Sequence, residues 1–321
     1  MTSPFHPLAK PFIYNDLIYC LSNDAVSMWL LGHKDFREAT GEITIPSTVM
    51  YKGKEYPVAF IGPEAFSGCF DLTGPLIIPD TVTLISNLAF NSCSGFTSVT
   101  IGSSVATIGE WAFRGCKGLC GELSFPSSIT TIKMGAFAEC SGLTGELVIP
   151  DSVTAIERWT FNWCSGFTSL KIGNSVSLID PRAFHTCKGL KSIFIGKSAK
   201  NINGGTFMGC GDLESIVVAQ DNATYNSQNN CNAIIETSSG TLIRGCKNTV
   251  IPQSVTSIGK CAFYGCHDLN EIIIPHSVTV IGDQAFDSCH NLNEITIPRS
   301  VTTIGEWAIP DSTTIIDEQS K

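Results

Sequence analysis

The chain has 321 residues, a formal net charge of −9, 43% hydrophobic residues and only 15% charged ones. That share of apolar residues is enough for a core and excludes a disordered chain. The acidic balance, with no run of Lys or Arg longer than two, argues against nucleic acid or an anionic membrane as the main partner, since both call for clustered cations.

The start, MTSPFHPLAK, lacks a basic segment followed by an apolar one, so it is not a signal peptide as it stands. Either the protein stays inside the cell or a leader is missing from this sequence. Residues 1–40 read as a cap, in which DLIYCLS from Asp16 and AVSMWLLG from Ala25 form a hairpin over one end of a repeat array. AVSMWLLG is far short of the ~20 apolar residues a membrane helix needs, and no membrane insertion is expected. VMYKGKEYPVAFIG from Val49 reads as an enlarged first turn with KGKE at its tip.

From residue 41 to 310 the chain repeats itself. A small residue followed by Phe recurs at Phe66, Phe90, Phe113, Phe137, Phe161, Phe184, Phe207, Phe263 and Phe286. The intervals are 23 or 24 residues, except one of 56, which is one period plus an insertion of 33. A last copy closes at Ala308-Ile309, with Ile in the Phe place. In the turn that begins at Leu269, LNEIIIP alternates and is β-branched, so it is predicted to be a short strand that Pro275 ends. SVTVIG then returns the chain inward, Gly282 allows a tight turn, and DQAFDSC makes a compact segment on the far side. One such turn cannot bury its apolar edge alone, but stacked turns can. The fold class predicted is therefore a curved repeat solenoid, α/β or mainly β, with one parallel strand per 23–24-residue turn and a hairpin-like N-terminal cap.

LNEIIIP, FTSVTIG, LKSIFIG and LNEITIP fit the L-x-x-L-x-L opening of leucine-rich repeats. The usual Asn or Cys at the next ladder position is replaced by a hydroxyl column, Thr81, Ser104, Ser128, Ser152, Ser175, Ser198, Ser254, Ser277 and Ser300. These hydroxyls are expected to bond backbone groups of the turn. The phrase IPxSVTxIGxxAFxxC, in register about ten times, resembles the BspA-type subclass of leucine-rich repeats over nearly the whole chain. The long turn of about 213–248, with YNSQNNCNAIIETSSGTLIRGCKNTVIP from Tyr225, resembles the hairpin-bearing turn of bacterial members. The resemblance implies a surface or secreted bacterial protein that adheres to other proteins, host extracellular matrix among them. An intracellular or periplasmic scaffold or spacer is the alternative, and an enzyme with an unrecognised site a remote one.

Nine of the 14 cysteines stand three residues after the marker Phe, from Cys69 to Cys289. In-register positions on stacked turns point the same way, which suits neither a disulfide nor a metal site. They are expected to be small buried core residues. A Cys231–Cys246 bridge across the predicted hairpin NAIIE/TLIRG stays open. No catalytic, cofactor-binding or metal-ligating set emerges: His267 and His290, one turn apart, are expected to stack on an outer edge without a third converging group. NAT at Asn222 is a glycosylation acceptor only in a eukaryotic secretory pathway.

Two candidate protein-binding regions remain. On the outward face of the strands the central position runs Ile77, Thr100, Ser124, Val148, Lys171, Phe194, Val217, Val250, Ile273 and Thr296, with Glu122, Glu146, Glu271 and Glu294 beside it. The apolar run Phe194 to Ile273 marks an interaction site unless it only suits strands or lies beneath the insertion. Val148, Lys171, Phe194, Val217, Val250, Ile273, Glu271 and Glu294 are the candidates there. The polar insertion adds Asp221, Asn222, Tyr225 and Asn229, because contacts often ride on loops held by a rigid scaffold. Trp111, Trp159 and Trp307 share one place in the repeat. Gly135 intervenes between the first two, so no continuous stripe is expected, and packing on a neighbouring turn is favoured over an interface role. Residues 311–321 read as a short polar tail that covers the last turn poorly.

Overall fold

The computed structural model describes residues 9–317, and it is a mainly-β leucine-rich repeat solenoid of about eleven turns. Packing divides the described residues into two compact units, one of residues up to 144 with 152–164 and the other of residues 145–151 with those from 165 on.

The first unit opens with the predicted cap. Phe12–Tyr14 pairs antiparallel with Leu17–Leu21, and that strand pairs antiparallel with Met28–His33. Met28–His33 also pairs parallel with Lys54–Ile61, and the parallel column continues through Leu84–Ile85, Thr107–Ile108 and Thr131–Ile132. The cap's last strand thus serves as the first rung, which covers the open edge that a solenoid end otherwise presents. The stretch read as an enlarged first turn is an antiparallel hairpin of Thr48–Tyr51 and Lys54–Ile61, with part of KGKE at its tip. A second column is made of Gly41–Glu42, Leu72–Ile77 and Phe96–Thr100.

In the second unit Gly145–Ile149, Phe167–Ile172, Ser192–Ile195 and Ser215–Val218 form a parallel ladder. The insertion comes next as an antiparallel run, Tyr225–Asn226, Ile234–Glu236 and Thr241–Arg244, so the predicted hairpin is present. Thr241–Arg244 then pairs parallel with Ser257–Ile258, and the column proceeds through Val280–Ile281 and Thr303–Ile304. Part of the expected tail is structured: Thr314–Asp317 pairs parallel with Glu294–Ile297. The remaining four residues of that tail, 318–321, lie outside the described ones.

The core is a set of side-chain columns. The rings of Phe66, Phe90, Phe113, Phe137 and Phe161 stack in sequence, 5.1 to 5.7 Å apart and within 12° of parallel. The same contact joins Phe184 to Phe207 and Phe263 to Phe286. Such pairs contribute about 0.5–1.5 kcal/mol beyond area burial.

The cysteine column is buried, as expected, but it does more than fill space. Six of the nine thiols donate a hydrogen bond to the carbonyl of the marker Phe one turn back: Cys93 to Phe66 at 2.9 Å, Cys116 to Phe90, Cys140 to Phe113 and Cys164 to Phe137 at 3.0 Å, Cys210 to Phe184 and Cys289 to Phe263 at 3.1 Å. Cys69 does the same to Phe36 of the cap. Cys is small enough for the site and supplies one weak donor where the tight turn leaves a buried carbonyl. Among the described residues no disulfide is formed, and Cys231 and Cys246 are not bridged.

Two expectations are corrected. The hydroxyl column bonds the preceding turn rather than its own: Thr81 donates to Val58 O, Ser128 to Val105 O and Ser277 to Val255 O, while the hydroxyls of Ser152 and Ser300 are buried without a partner. The Thr two places on does likewise, as in Thr83 to Ala59 O and Thr279 to Thr256 O. The second correction concerns LNEIIIP, the segment that alternates most clearly. It forms no strand. A strand is a property of a pair, and the neighbouring segment is engaged elsewhere: Lys247 N–H bonds Leu213 O, and Val250 N–H bonds Cys231 O within the insertion. Ile272 and Ile274 are still buried, so the apolar alternation is satisfied by the core without the ladder.

Candidate binding surfaces

The outward column is in register where the ladder exists. Val148 lies beside Lys171, Lys171 beside Phe194, and Phe194 beside Val217. In the other unit Ile77 lies beside Thr100. Alternation puts Leu147, Ile149, Leu170, Ile172, Ile193 and Ile195 in the core and the residues between them on the opposite face.

Exposure along this face is least at Phe194 and greatest on the turns that follow the insertion. Phe194 is half-buried, Val217 is 44% exposed, Val250 71% and Ile273 85%. The insertion therefore does not cover these side chains. Where the ladder fails, a groove of about 260 Å³ opens between two turns, lined by Val250, Ile251 and Gln253 on one side and Glu271, Ile273 and Pro275 on the other. A larger polar cleft of about 620 Å³ adjoins it, sharing Glu271 and lined also by Lys247, Asn248, Asp268, Asn270 and Asn291. Lys247 spans this cleft, 3.0 Å from Glu214 and 3.9 Å from Asp268. Its hydrogen bond holds the Glu214 carboxyl below the usual range. Glu271 and Glu294 are both exposed.

A comparable break lies in the first unit, where residues 122–126 form no strand. Phe125 stands in the place that Ile101 holds one turn earlier. Its ring sits edge-on to Phe137 at 5.7 Å. A groove there is lined by Thr100, Ser103, Glu122 and Ser124.

The insertion candidates separate into two pairs. Asp221 and Asn229 are exposed. Asn222 and Tyr225 are buried and take part in the fold. The Asn222 amide donates to Gly196 O and its carbonyl oxygen accepts from the Thr224 and Tyr225 N–H groups, while the Tyr225 hydroxyl bonds the Ile202 backbone. Both leave the set of contact residues, and the buried Asn222 amide is not open to glycosylation.

Beside the insertion lies a residue that sequence reasoning passes over. Arg244 is fully buried, and its guanidinium donates to Cys210 O and Tyr264 O at 3.0 Å. It sits next to Gly245, which stands in the marker place of this extra turn: Gly245 N–H bonds Ala262 O, as each marker Phe bonds the next turn's residue before Phe. The missing Phe is a signal that something else must fill the core there.

His267 and His290 stack as expected, 5.1 Å apart and 6° from parallel, with His267 Nδ1 donating to Ser288 O. Among the described residues no group of three His, Cys, Asp or Glu could hold a metal ion, and no helix is long and apolar enough to cross a membrane. The expected break in the Trp series is not found. Trp111 and Trp159 lie 5.9 Å apart across the turn of Gly135, with Arg114 over the first ring and Arg158 over the second.

A solenoid of parallel rungs whose polar groups are met by the neighbouring turn, with an open strand face and no converging catalytic set among the described residues, defines a leucine-rich repeat protein. The chain belongs to the BspA type leucine rich repeat family, whose model matches residues 59–145, 120–235 and 243–318. Its structure is similar to that of a leucine-rich cell surface protein from Faecalibacterium prausnitzii A2-165, with 26% identity, a TM-score of 0.74, and 95% of this chain and 86% of that one covered. The pneumococcal vaccine antigen PcpA shares the fold at 17% identity and a TM-score of 0.59, covering 92% of this chain and 78% of that one. No curated protein matches the chain.

Proposed function

We propose that this protein is a non-enzymatic protein-binding module of a bacterial cell surface or of its secreted proteins. The observation that carries the reading is the set of exposed apolar side chains Val217, Val250 and Ile273, the last two across a groove from one another, with Glu271 and Glu294 as exposed carboxylates near them in sequence. Apolar side chains so exposed mark an interaction site, and the carboxylates favour a partner with basic groups. Leucine-rich repeats generally mediate protein–protein contact, and the similar chain from Faecalibacterium prausnitzii is a cell surface protein. A host matrix protein or another surface protein is the expected partner.

Two experiments test the reading. Antibody labelling of intact, unpermeabilised cells that is lost after brief external protease is the expected result, whereas labelling only after permeabilisation supports an intracellular scaffold. Phe194→Glu combined with Ile273→Lys is expected to abolish retention on immobilised matrix proteins. Ile273→Lys alone should leave the melt within about 0.5 kcal/mol, as for most surface changes. Undiminished binding by the double variant counts against this face.

A further inference from the structure

In the first unit the residue before each column cysteine adopts a left-handed conformation. It is Gly at Gly68 and Gly115, Ser at Ser92, Glu at Glu139, and Trp at Trp163, with φ of 61°. The fold therefore asks for no side chain there and favours none. Trp111 and Trp159 hold the same left-handed conformation at another place in their turns, so the backbone alone does not set Trp163 apart. Trp163 is 53% exposed. Its ring borders a cavity of about 450 Å³, lined further by Lys117, Glu139, Ser141 and Asn162.

The polar groups around that cavity are arranged in a particular way. The Glu139 carboxylate accepts two hydrogen bonds from the Arg114 guanidinium, at 2.9 and 3.0 Å. Its charge is thus already matched, and it presents an acceptor rather than a free anion. Arg114 in turn lies over Trp111, 5.4 Å from the ring, and Trp111 stacks on Trp159. The cavity wall is anchored to the aromatic series through this chain of contacts. Lys117 supplies a donor, Asn162 is an amide of both kinds, and Ser141 a hydroxyl.

From these features we infer that the Trp163 cavity binds a neutral pyranose unit of a glycan. One face of a pyranose ring is made of C–H bonds, weakly positive, which suits the negative face of an indole. Its rim is a set of hydroxyls, each both donor and acceptor, which suits a mixed rim better than a site of one sign. A charged ligand fits worse, because the one carboxylate is already paired and only one ammonium faces the space. This site is separate from the strand face proposed above for protein binding.

The test uses the full chain against immobilised maltotriose, cellotriose, mannotriose, chitotriose and N-acetyllactosamine, read by interferometry. At least one is expected to bind, and Trp163→Gly is expected to weaken it about tenfold or more. The same variant is expected to melt no lower than the parent, because Gly is at home in the left-handed position. Retention of no oligosaccharide at millimolar concentration overturns the proposal, as does unchanged binding by Trp163→Gly. A clear drop in Tm for Trp163→Gly overturns it too, by assigning the indole to packing. Loss in this variant of binding to an unglycosylated protein, with no sugar bound, gives the cavity to a peptide instead.

Discussion

The indole of Trp111 lies flat over Gly135, so close that a Cβ on the glycine would stand 2.1 Å from the Trp111 ring. Gly135 also has a φ of 65°. One residue thus gives the ring room and takes the left-handed conformation that this place in the turn requires, since Trp111 and Trp159 adopt it too, at 56° and 60°.

Gly135→Ala should therefore destabilise the protein twice over. The left-handed conformation costs a non-glycine residue about 1–2 kcal/mol, and the forced shift of the indole about 1–3 kcal/mol more. A urea melt followed by Trp fluorescence should show both a lower midpoint and an altered native spectrum. An unchanged spectrum would mean that the ring does not rest on the glycine.

Phe137 stacks between Phe113 and Phe161, at 5.1 and 5.7 Å, and is fully buried. Phe137→Ala is expected to lower stability by about 3–5 kcal/mol. A thermal melt that does not move would contradict the stacked core.

Burial pushes the thiols of Cys116 and Cys164 up to about 12, and those of Cys93, Cys140 and Cys289 up as well. In the unfolded chain a thiol titrates near ~8.5. The stability these protonated thiols contribute is full below that pH. Above it the unfolded chain loses protons that the folded one keeps, and stability falls as the pH climbs towards 12, by up to about 1.4 kcal/mol per pH unit for each thiol. Urea midpoints should drop between pH 8 and pH 10, and less so in a Cys116→Ala, Cys164→Ala variant. A midpoint independent of pH over that range speaks against the buried column.

Arg244→Ala should be among the most damaging changes near the insertion. It leaves the carbonyls of Cys210 and Tyr264 without their donor and opens a cavity where the extra turn has no Phe. A loss of about 2–5 kcal/mol is expected, from the cavity and from the carbonyls left without a donor. Arg244→Met, which keeps the volume, should recover a good part of it in the same denaturant melt.

Much of the fold is legible from residues alone, because a period of 23 or 24 fixes which side chains fall in one column. The Phe, Cys and outward strand series, the cap hairpin and the insertion hairpin all come from that period and from alternation. What escapes depends on the neighbouring turn. LNEIIIP has the alternation of a strand, yet a ladder needs two segments, and the insertion takes the other one. Asn222 and Tyr225 look like loop polar residues, but a buried turn needs hydrogen-bond partners of its own. Gly135 looks like a gap between two tryptophans when it is the space that lets them meet. The buried Arg244 could have been suspected from the absent Phe in its turn.

The thiol ladder gives the array a direction. The peptide of each marker Phe is completed on both sides by the next turn: Phe66 N–H bonds Ala89 O, and Phe66 O accepts from Cys93; Phe90 is treated alike by Ala112 and Cys116. Deleting a turn from the front of such a series strands a thiol, a weak donor, and a carbonyl. Deleting one from the back strands the amide N–H of the marker Phe, a strong donor, while its carbonyl keeps the Cys N–H of its own turn, as Phe66 O keeps Cys69 N–H. Shortening is therefore not symmetric. In a chain synthesised from its amino end, a new turn emerges with its Phe N–H open, and the turn that follows closes it.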